Sequence, residues 1–371
     1  MPDQSAPAAA AKIVFGQGFL KDCWWFAALS GDLVAGKLQR YVILGEPVLL
    51  ARDLDGRAYA VRDICPHRAA PLSAGEMIRD GKGGGCVVQC CYHGWTFDTE
   101  GTCKSIPSLT ADQPMDVEKI RVRNYAIREQ QGIVWIYITA DPRRPSEPDH
   151  EPPMLPGVVG GHKNDIRPII VETMDFDSHI DHAVVGLMDP AHGPYVHQQW
   201  WWRSAKKQLS KIKSFEPREY GFSMVRHAPS SNSRAYKILG GAPATEITFR
   251  LPGIRYEHIE IGKQQVLGLT CLTPIDDNTT RITQIFWSDH GLFRFIAPLF
   301  RFGAKAFLKQ DGDMVNLQNE GLKYDPALIW IDDADTQAKW YQQLKREWMQ
   351  ARAEKRPFVN PVKPATLKWT S

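Results

Sequence analysis

Two short segments of this chain each place a cysteine beside a histidine, and this pairing constrains the fold more than any other feature. The segments are Cys65-Pro66-His67-Arg68 and Cys90-Cys91-Tyr92-His93-Gly94-Trp95. Thiolates and imidazoles bind either one tetrahedral zinc ion or a [2Fe-2S] cluster in which two Cys hold one iron and two His hold the other. A zinc site usually keeps its two cysteines together, whereas here each segment supplies one ligand of each type. The spacing therefore favours Cys65, His67, Cys90 and His93 as cluster ligands, with zinc as the alternative.

Length and charge limit the class of protein. A chain of 371 residues is long enough for two domains, each with its own core. The 45 basic and 42 acidic residues give a net charge of +3 without any long basic run, so nucleic acid is not an expected partner.

The remaining cysteines and the N-terminus bear on the compartment. Seven cysteines, two of them needed as thiolates, favour a reducing compartment over a disulfide framework. We expect Cys86, Cys91 and Cys103 to be small buried thiols. The N-terminus lacks the basic start and apolar run of a signal peptide, and no run of about 18 apolar residues occurs. These features predict a cytoplasmic protein that does not interact with a membrane.

Periodicity divides the chain into a tail and two domains. Residues 1–18 are predicted to form a loosely held tail. Residues 19–145 contain short β-rich runs separated by turn signals, which predict a small antiparallel β domain. Several prolines between 141 and 157 favour an extended connection. Residues 146–371 would form the second domain, in which the alternation over 210–289 predicts a curved antiparallel sheet.

A second pair of histidines, His192 and His197, lies in the second domain. Residues five apart on a straight helix point roughly 140° away from each other, so this spacing alone does not build a metal site. Gly193 and Pro194 lie between them and are expected to break or bend the helix, which would let His197 turn toward the metal that His192 faces. For an isolated pair at this spacing, two structural histidines would be the simpler interpretation.

A carboxylate that completes a metal site is found in the helical pattern around residues 304–318. On a helical wheel Asp311 falls on the apolar face with Leu308 and Val315, whereas Asp313 falls on the opposite face. A carboxylate on an apolar face is costly unless a partner or metal neutralises it. Asp311 is therefore the predicted third ligand, and His192, His197 and Asp311 together predict a facial triad for non-haem Fe(II).

The two cluster segments, C-P-H-R and C-x-Y-H-G-W, followed by D-x2-H-x4-H and a late helical Asp, resemble the α subunits of Rieske non-haem iron oxygenases over roughly residues 20–325. The length and the Gln310-Asp311 helix are most similar to the α-only branch, which includes vanillate, dicamba and related O- or N-dealkylating monooxygenases. The resemblance implies an α+β fold, with an N-terminal antiparallel β Rieske [2Fe-2S] domain and a C-terminal helix-grip catalytic domain. In that domain a curved antiparallel sheet wraps around a long helix.

The same resemblance implies how the two metal sites are connected. Family members form head-to-tail homotrimers in which the cluster of one chain faces the mononuclear iron of the next. Asp189 would then bridge His192 to His93 of the partner subunit and carry electron transfer between subunits. Many relatives have an asparagine three or four residues before this aspartate. Here those positions are Gly186 and Val185, so any role of that asparagine is absent or supplied elsewhere.

The implied activity is monooxygenation of a mostly apolar aromatic substrate with O2, by oxidative O- or N-dealkylation. Electrons would come from NAD(P)H through a ferredoxin, a flavin reductase or both. Ring or alkyl hydroxylation, including dihydroxylation and hydroxylation of tetrapyrroles or steroids, is the alternative enzymatic function. A zinc-bound ligand-binding or structural module is the alternative of another class. The candidate substrate-pocket residues are Val184, Leu187, Met188, Trp200 and Trp201.

Overall fold

A computed structural model describes residues 14–81, 84–143, 146–157, 167–197, 208–229 and 242–371. The chain divides into two compact units. One, here called the first unit, comprises Lys21–Arg167 and Thr273–Arg281. The other, the second unit, comprises Met1–Leu20, Pro168–Leu272 and Ile282–Ser371. No helix in the described ranges is long and apolar enough to cross a membrane.

The first unit is built on a six-stranded sheet with the strand order β1-β10-β9-β4-β3-β2. Its strands are β1 Cys23–Leu29, β2 Leu38–Ile43, β3 Glu46–Arg52, β4 Ala58–Arg62, β9 Asn124–Gln130 and β10 Ile133–Ile138. Neighbouring strands pair antiparallel throughout. Leu44 and Gly45 both adopt positive φ angles between β2 and β3, which is the turn geometry that matches the twist of a two-residue hairpin.

A second, four-stranded sheet in this unit carries the cluster segments. Its order is β5-β6-β7-β8, formed by β5 Glu76–Arg79, β6 Cys86–Gln89, β7 Thr96–Asp98 and β8 Cys103–Ser105. The segment with Cys65 follows β4, and the segment with Cys90 connects β6 to β7. Both thiols belong to one apolar core with Leu72, Val88 and Phe97. Because both thiols pack in a core that includes residues of β6 and β7, this core holds both cluster segments in place.

Most of the other cysteines are buried, as expected. Cys86 and Cys103 lie in the interior of the first unit, but Cys91 is exposed, so its predicted burial is wrong. The physical reason is its position in the loop. Cys91 follows Cys90, whose side chain points into the core, and the chain reverses direction within the next four residues.

The second unit is built on an eight-stranded sheet with the order β11-β17-β16-β15-β14-β13-β12-β18, of which only the ends of β16 and β17 within Thr273–Arg281 belong to the first unit. Its strands are β11 Ile170–Phe176, β12 Ser210–Arg218, β13 Gly221–His227, β14 Ala244–Arg250, β15 Ile254–Ile261, β16 Gln264–Asp276, β17 Thr279–Ser288 and β18 Ala365–Thr370. The pairs from β18 to β16 are antiparallel. Together with the helices of this unit, this architecture confirms the predicted α+β class.

Four helices accompany this sheet: α1 Ile180–Met188, α2 Gly193–Val196, α3 Gly291–Leu322 and α4 Thr336–Glu354. Helix α4 packs its aromatic side chains on the sheet, where Trp340 contacts the rings of Phe215 and Phe222. Helix α3 lies on β11 and also contacts α1 and α2. The three helices that carry the predicted iron ligands, or flank them, therefore meet on one side of this unit.

Helix α1 is held by a buried ion pair at its N-terminus. Lys345 of α4 lies 2.6 Å from Asp181 Oδ2, and both side chains are almost inaccessible to water. The Tyr341 hydroxyl and the Gly16 backbone N–H also donate hydrogen bonds to this carboxylate. Because every oxygen of the buried charge has a donor, the network fixes the N-terminal end of α1.

Candidate metal centres

The two cluster segments have the same backbone hydrogen bonds. In the first, Cys65 N–H donates to the Ala70 carbonyl and Ala69 N–H donates to the Cys65 carbonyl. In the second, Cys90 N–H donates to the Trp95 carbonyl and Gly94 N–H donates to the Cys90 carbonyl. The fifth residue of each loop adopts a positive φ, +59° at Ala69 and +71° at Gly94. A non-glycine residue in this conformation costs free energy, so the first loop is held in place by its surroundings.

These loops bury the sulfurs and bring the imidazoles together. Cys65 and Cys90 are 2% and 3% exposed, whereas His93 is exposed. The ring centroids of His67 and His93 lie 4.3 Å apart, and the His67 ring stacks on Trp95 at 4.7 Å. His67 Nδ1 is buried without a hydrogen-bond partner among the described residues. An orphaned imidazole nitrogen beside two buried thiols fits a group that takes two sulfur and two nitrogen ligands.

Ionisation of these groups agrees with that fit. Burial, reinforced by the neighbouring Cys90, raises the pKa of the Cys65 thiol to about 11. A thiol with that pKa is protonated at neutral pH unless a metal displaces the proton. Burial, followed by the charges of His93 and Arg68, lowers the pKa of His67. Its imidazole is therefore neutral at pH 7, which is the form that ligates metal.

The second pair of histidines is positioned differently from the prediction. Gly193 and Pro194 do not interrupt a helix; they begin α2, a single turn whose N-terminal cap is His192 and whose C-terminal cap is His197. Proline suits the first turn of a helix because its missing N–H would have no partner there. The two histidines therefore lie at the two caps of one short helix, and their Nε2 atoms approach each other beyond it.

The three predicted ligands of the mononuclear iron come together in space. His192 Nε2 and His197 Nε2 are 3.3 Å apart. Asp311 Oδ1 lies 3.6 Å from His192 Nε2 and 3.2 Å from His197 Nε2. One ligand atom from each residue lies within 4.8 Å of the others, as a metal site requires. The donor set of two imidazoles and one carboxylate fits a non-haem Fe(II) facial triad.

Further groups orient these ligands. His197 Nδ1 is 3.1 Å from Gln310 Oε1, and the His197 ring packs on Phe307. On the other side, Asp189 Oδ2 lies 3.7 Å from His192 Nδ1, while its Oδ1 accepts a hydrogen bond from the Ala191 N–H. In each histidine the nitrogen away from the triad thus faces an oxygen. Sequence reasoning missed the role of Gln310, whose only signal was its position beside Asp311.

Two family matches cover most of the chain. Residues 23–126 match the Rieske [2Fe-2S] domain, and residues 176–354 match the vanillate O-demethylase oxygenase C-terminal domain. The chain belongs to the Rieske non-haem iron oxygenases. The resemblance is thereby confirmed, as are a [2Fe-2S] cluster and a non-haem iron as the cofactors of this oxygenase, in preference to zinc. Which residues ligate them remains a prediction that the geometry above supports.

Individual relatives are similar over different lengths. A 4beta-methylsterol monooxygenase of Methylococcus capsulatus is 28% identical over 277 residues, covering 72% of this oxygenase and 69% of the relative. The oxygenase component of dicamba O-demethylase of Stenotrophomonas maltophilia is 33% identical over 184 residues, covering 48% of each chain. This oxygenase thus spans about half the length of that relative. The 5,5'-dehydrodivanillate O-demethylase oxygenase subunit of Sphingobium is 30% identical, with 41% of its length covered.

Comparison with solved structures concerns the fold. The crystal structure of dicamba monooxygenase bound to dicamba matches with a TM-score of 0.71 at 22% identity, covering 91% of this chain and 100% of that one. At this identity the match confirms the architecture of a Rieske domain followed by a helix-containing antiparallel sheet domain. It supports the helix-grip expectation for the second unit of the oxygenase.

The second unit of the oxygenase contains a cavity of about 270 Å³ beside the triad. His192 and Asp311 reach into it, and its apolar lining comes from α1, α2, α3, β11, β16 and β17. Of the predicted pocket residues, Leu187 lines the cavity. Val184 and Met188 are buried in α1 and are not part of the described lining, because the helix turns them toward other neighbours. Trp200 and Trp201 lie outside the described residues.

Helix α3 presents the cavity with a face that the helical wheel identified only in part. Leu308 and Val315 are buried and Asp313 is exposed, as predicted. Asp313 also pairs with Lys309. Met314 is 46% exposed because it lines the cavity. Asp311 retains 30% side-chain exposure for the same reason.

Proposed function

We propose that this chain is the oxygenase component of a multicomponent monooxygenase that removes an O- or N-alkyl group from a mostly apolar aromatic substrate. The observation that carries the proposal is the convergence of His192, His197 and Asp311 at the edge of an apolar cavity. Such a cavity brings an apolar substrate within reach of the metal and keeps bulk water away from it.

The chain's own residues have three tasks in this reaction. His192, His197 and Asp311 would hold the iron from one side and leave its other side open to the cavity. Gln310 would fix His197 by accepting its outward Nδ1–H. Asp189 Oδ2 lies 3.7 Å from the outward Nδ1 of His192, beyond hydrogen-bond distance, and would stabilise that imidazole through its negative charge. When bound, the two metal sites supply O2 activation with electrons delivered singly. The net change converts an aryl methyl ether, O2, two electrons and two protons into a phenol, formaldehyde and water.

The cavity lining indicates the charge of the substrate. Its polar groups include the carboxylates of Asp189, Asp311 and Asp335 and the amides of Gln284 and Gln318. Among the described residues, no lysine or arginine lines it. Apart from the iron itself, the described lining thus offers a carboxylate or sulfonate group no positive charge, and Asp189 and Asp335 would repel such a group placed beside them. We infer a neutral or cationic substrate, such as an aryl ether or N-alkyl arene without an acid group.

The O-demethylases among the relatives favour dealkylation as the reaction. A second candidate is alkyl hydroxylation of a steroid-like molecule, favoured by the match to the 4beta-methylsterol monooxygenase over 72% of the chain. Both reactions need the same centres and an electron supply from NAD(P)H through a reductase, a ferredoxin or both. The need for two cysteine thiolates also supports a reducing cytoplasm as the place of action.

Product analysis tests the proposal. The purified protein should be brown and contain about three iron atoms per chain. It is supplied with NADPH, a plant-type ferredoxin and its reductase, together with a matched pair of substrates, 1,2-dimethoxybenzene and 3,4-dimethoxybenzoate. We expect stoichiometric formaldehyde from the neutral ether and much less from the acid. Hydroxylated product without aldehyde would defeat dealkylation in favour of hydroxylation, and a colourless, iron-free protein would defeat the oxygenase function.

A further inference from the structure

A cleft of about 790 Å³ opens in the first unit beside the segment that carries Cys65 and His67. Pro66, which lies between those two predicted cluster ligands, forms part of its wall, as does Ile64. The charged side chains in its described lining are four arginines and one carboxylate, namely Arg62, Arg121, Arg123, Arg143 and Glu100. Four guanidinium groups and one carboxylate give this lining a net positive charge beside Pro66, which is next to both predicted ligands of that segment.

Two of the four arginines are engaged within the fold. The Arg123 guanidinium lies 2.5 Å from Glu46 Oε2 and also donates to the Thr139 carbonyl. Arg143 pairs with Asp141 at 3.0 Å. These two positive charges are largely balanced by carboxylates of the same unit.

The other two arginines make no salt bridge among the described residues, although Glu118 lies near enough for its pKa, lowered mainly by Lys104, to be lowered in part by Arg121. Arg62, at the end of β4, and Arg121, just before β9, are both exposed. Across the part of the chain that the structure describes, no carboxylate lies within 4.0 Å of either guanidinium. Exposed arginines without a salt-bridge partner create a positive potential that extends into solvent and attracts a negatively charged partner.

We propose that this cleft is the docking surface for an acidic one-electron carrier protein that reduces the cluster. The inference rests on the proposed function, since it takes Cys65, His67, Cys90 and His93 as the cluster ligands. In the step, the reduced carrier loses one electron and the [2Fe-2S] cluster of this chain gains it; no bond forms or breaks. The carrier contacts Pro66, which places its redox group next to the cluster loop.

The location of the cleft also separates electron entry from electron exit. Among the described residues, its lining includes the loop of Cys65 but no residue of the loop 90–95. The exposed His93 of that second loop is the residue proposed to face Asp189 of another subunit. A carrier bound at Arg62 and Arg121 would therefore leave His93 available, and both contacts could exist at the same time.

Charge changes at the two unpaired arginines test this assignment. The variants are Arg62→Gln, Arg121→Gln, Arg62→Glu and the double variant Arg62→Glu/Arg121→Glu, each prepared as the cluster-loaded protein. The donor is a dithionite-reduced plant-type [2Fe-2S] ferredoxin. Two quantities are measured at 25 and 300 mM NaCl without any oxygenation substrate: the second-order rate constant of cluster reduction by stopped-flow absorbance, and the dissociation constant of oxidised ferredoxin by calorimetry.

We expect the rate constant at low salt to fall about threefold for each neutralisation and by at least about tenfold for the double reversal, because electrostatic steering governs such association. Affinity should fall in parallel. At 300 mM NaCl the differences should shrink to about twofold, since salt screens exposed charges. At Arg62, the Glu variant should reduce the rate constant more than the Gln variant, because Glu reverses the charge whereas Gln only removes it.

The matched control is Lys263→Glu, which makes the same charge change as Arg62→Glu at an exposed turn between β15 and β16 of the second unit. It should alter both quantities by less than about twofold. Absorbance of the oxidised cluster verifies that each variant is loaded and folded. If the double reversal matches Lys263→Glu at low salt, the docking surface is refuted. Normal cluster reduction in a protein that forms no aldehyde would count against the proposed function and leave the docking surface intact.

Discussion

Two aspartates on α3, two positions apart, have different surroundings and should have different roles. Asp311 lies within 3.6 Å of both triad imidazoles, whereas Asp313 is exposed and pairs with Lys309. We expect Asp311→Asn to lower the iron content from about three to about two atoms per chain, because only the mononuclear site loses its anionic ligand. Cluster absorbance should be unchanged. Asp313→Asn, the matched control, should retain all the iron, and equal iron loss in both variants would contradict the ligand assignment.

Gln310 offers a test of the groups that orient the triad. Its Oε1 lies 3.1 Å from Nδ1 of the buried His197, so it can hold that proton and leave Nε2 free for the metal. Gln310→Leu removes the acceptor, and we expect the affinity for Fe(II) to fall about 10- to 100-fold. Gln310→Glu keeps an oxygen at the same place and should recover most of it. The measurement is a competition titration with a chelator, with cluster absorbance as the check on folding.

A loss of the same size in Gln310→Leu and Gln310→Glu would mean that packing, and not the hydrogen bond, connects Gln310 to the site.

The choice of Asp311 over Asp313 could be made from the sequence, because burial of a carboxylate on an apolar face is visible on a helical wheel. The role of Gln310 could not, since it depends on where α2 places His197. From the sequence, Leu187 could be named only together with its neighbours Val184 and Met188, because the orientation of α1 toward the cavity depends on the fold.

At the level of the elements, two helical glycines have opposite surroundings. A Cβ at Gly186 on α1 would meet only a Val315 methyl at 3.9 Å, an ordinary contact. A Cβ at Gly312 on α3 would meet the Phe176 ring at 3.0 Å, where α3 lies against β11. Glycine inside a helix is less stable than alanine by about 0.5–1 kcal/mol. Gly186→Ala should therefore raise the free energy of unfolding by about that amount.

Gly312→Ala should instead lower the free energy of unfolding or leave it unchanged, because the buried Phe176 must move to accept the methyl group. Urea unfolding of the two variants gives the comparison. Because Gly186 lines the cavity, Gly186→Leu should in addition raise KM for bulky substrates more than for small ones. Stabilisation by Gly312→Ala of the same size as by Gly186→Ala would show that α3 and β11 are not closely packed.

The local sequence predicted several elements for reasons that remain within a few residues. The β-rich runs and turn signals within residues 19–145 predicted antiparallel strands such as the β2–β3 pair, and the helical pattern over 304–318 predicted about half of α3. The local sequence did not predict the strand order, because the pairing of β18 with β12 joins residues near the C-terminus to the middle of the second unit. The interpretation of Gly193 and Pro194 as a helix break was wrong because the same residues also suit the first turn of a new helix.

At the scale of the whole molecule, the cluster and the mononuclear iron must exchange electrons, and Asp189 is the residue proposed to connect them between subunits of a homotrimer. In the single chain its Oδ2 lies 3.7 Å from His192 Nδ1, and the carboxylate is 34% exposed. A carboxylate in this position can accept from an imidazole on each side. Asp189→Asn keeps the shape and loses the charge. We expect it to retain cluster and iron but to lose NADH-coupled turnover by at least about 100-fold.

Electron transfer between subunits, unlike transfer within one chain, allows the cluster of one chain to serve the mononuclear iron of another. A chain with Cys65→Ala lacks the cluster, and a chain with Asp311→Asn lacks the mononuclear iron; each alone should be inactive. Co-expressed with different tags and purified as mixed trimers, they should regain activity wherever an intact cluster meets an intact iron across an interface. The same mixture with Asp189→Asn added to the cluster-deficient chain should stay inactive, because that chain supplies the iron site and its carboxylate. Recovery in that last mixture, or none in the first, would mean that electrons do not cross the interface through Asp189.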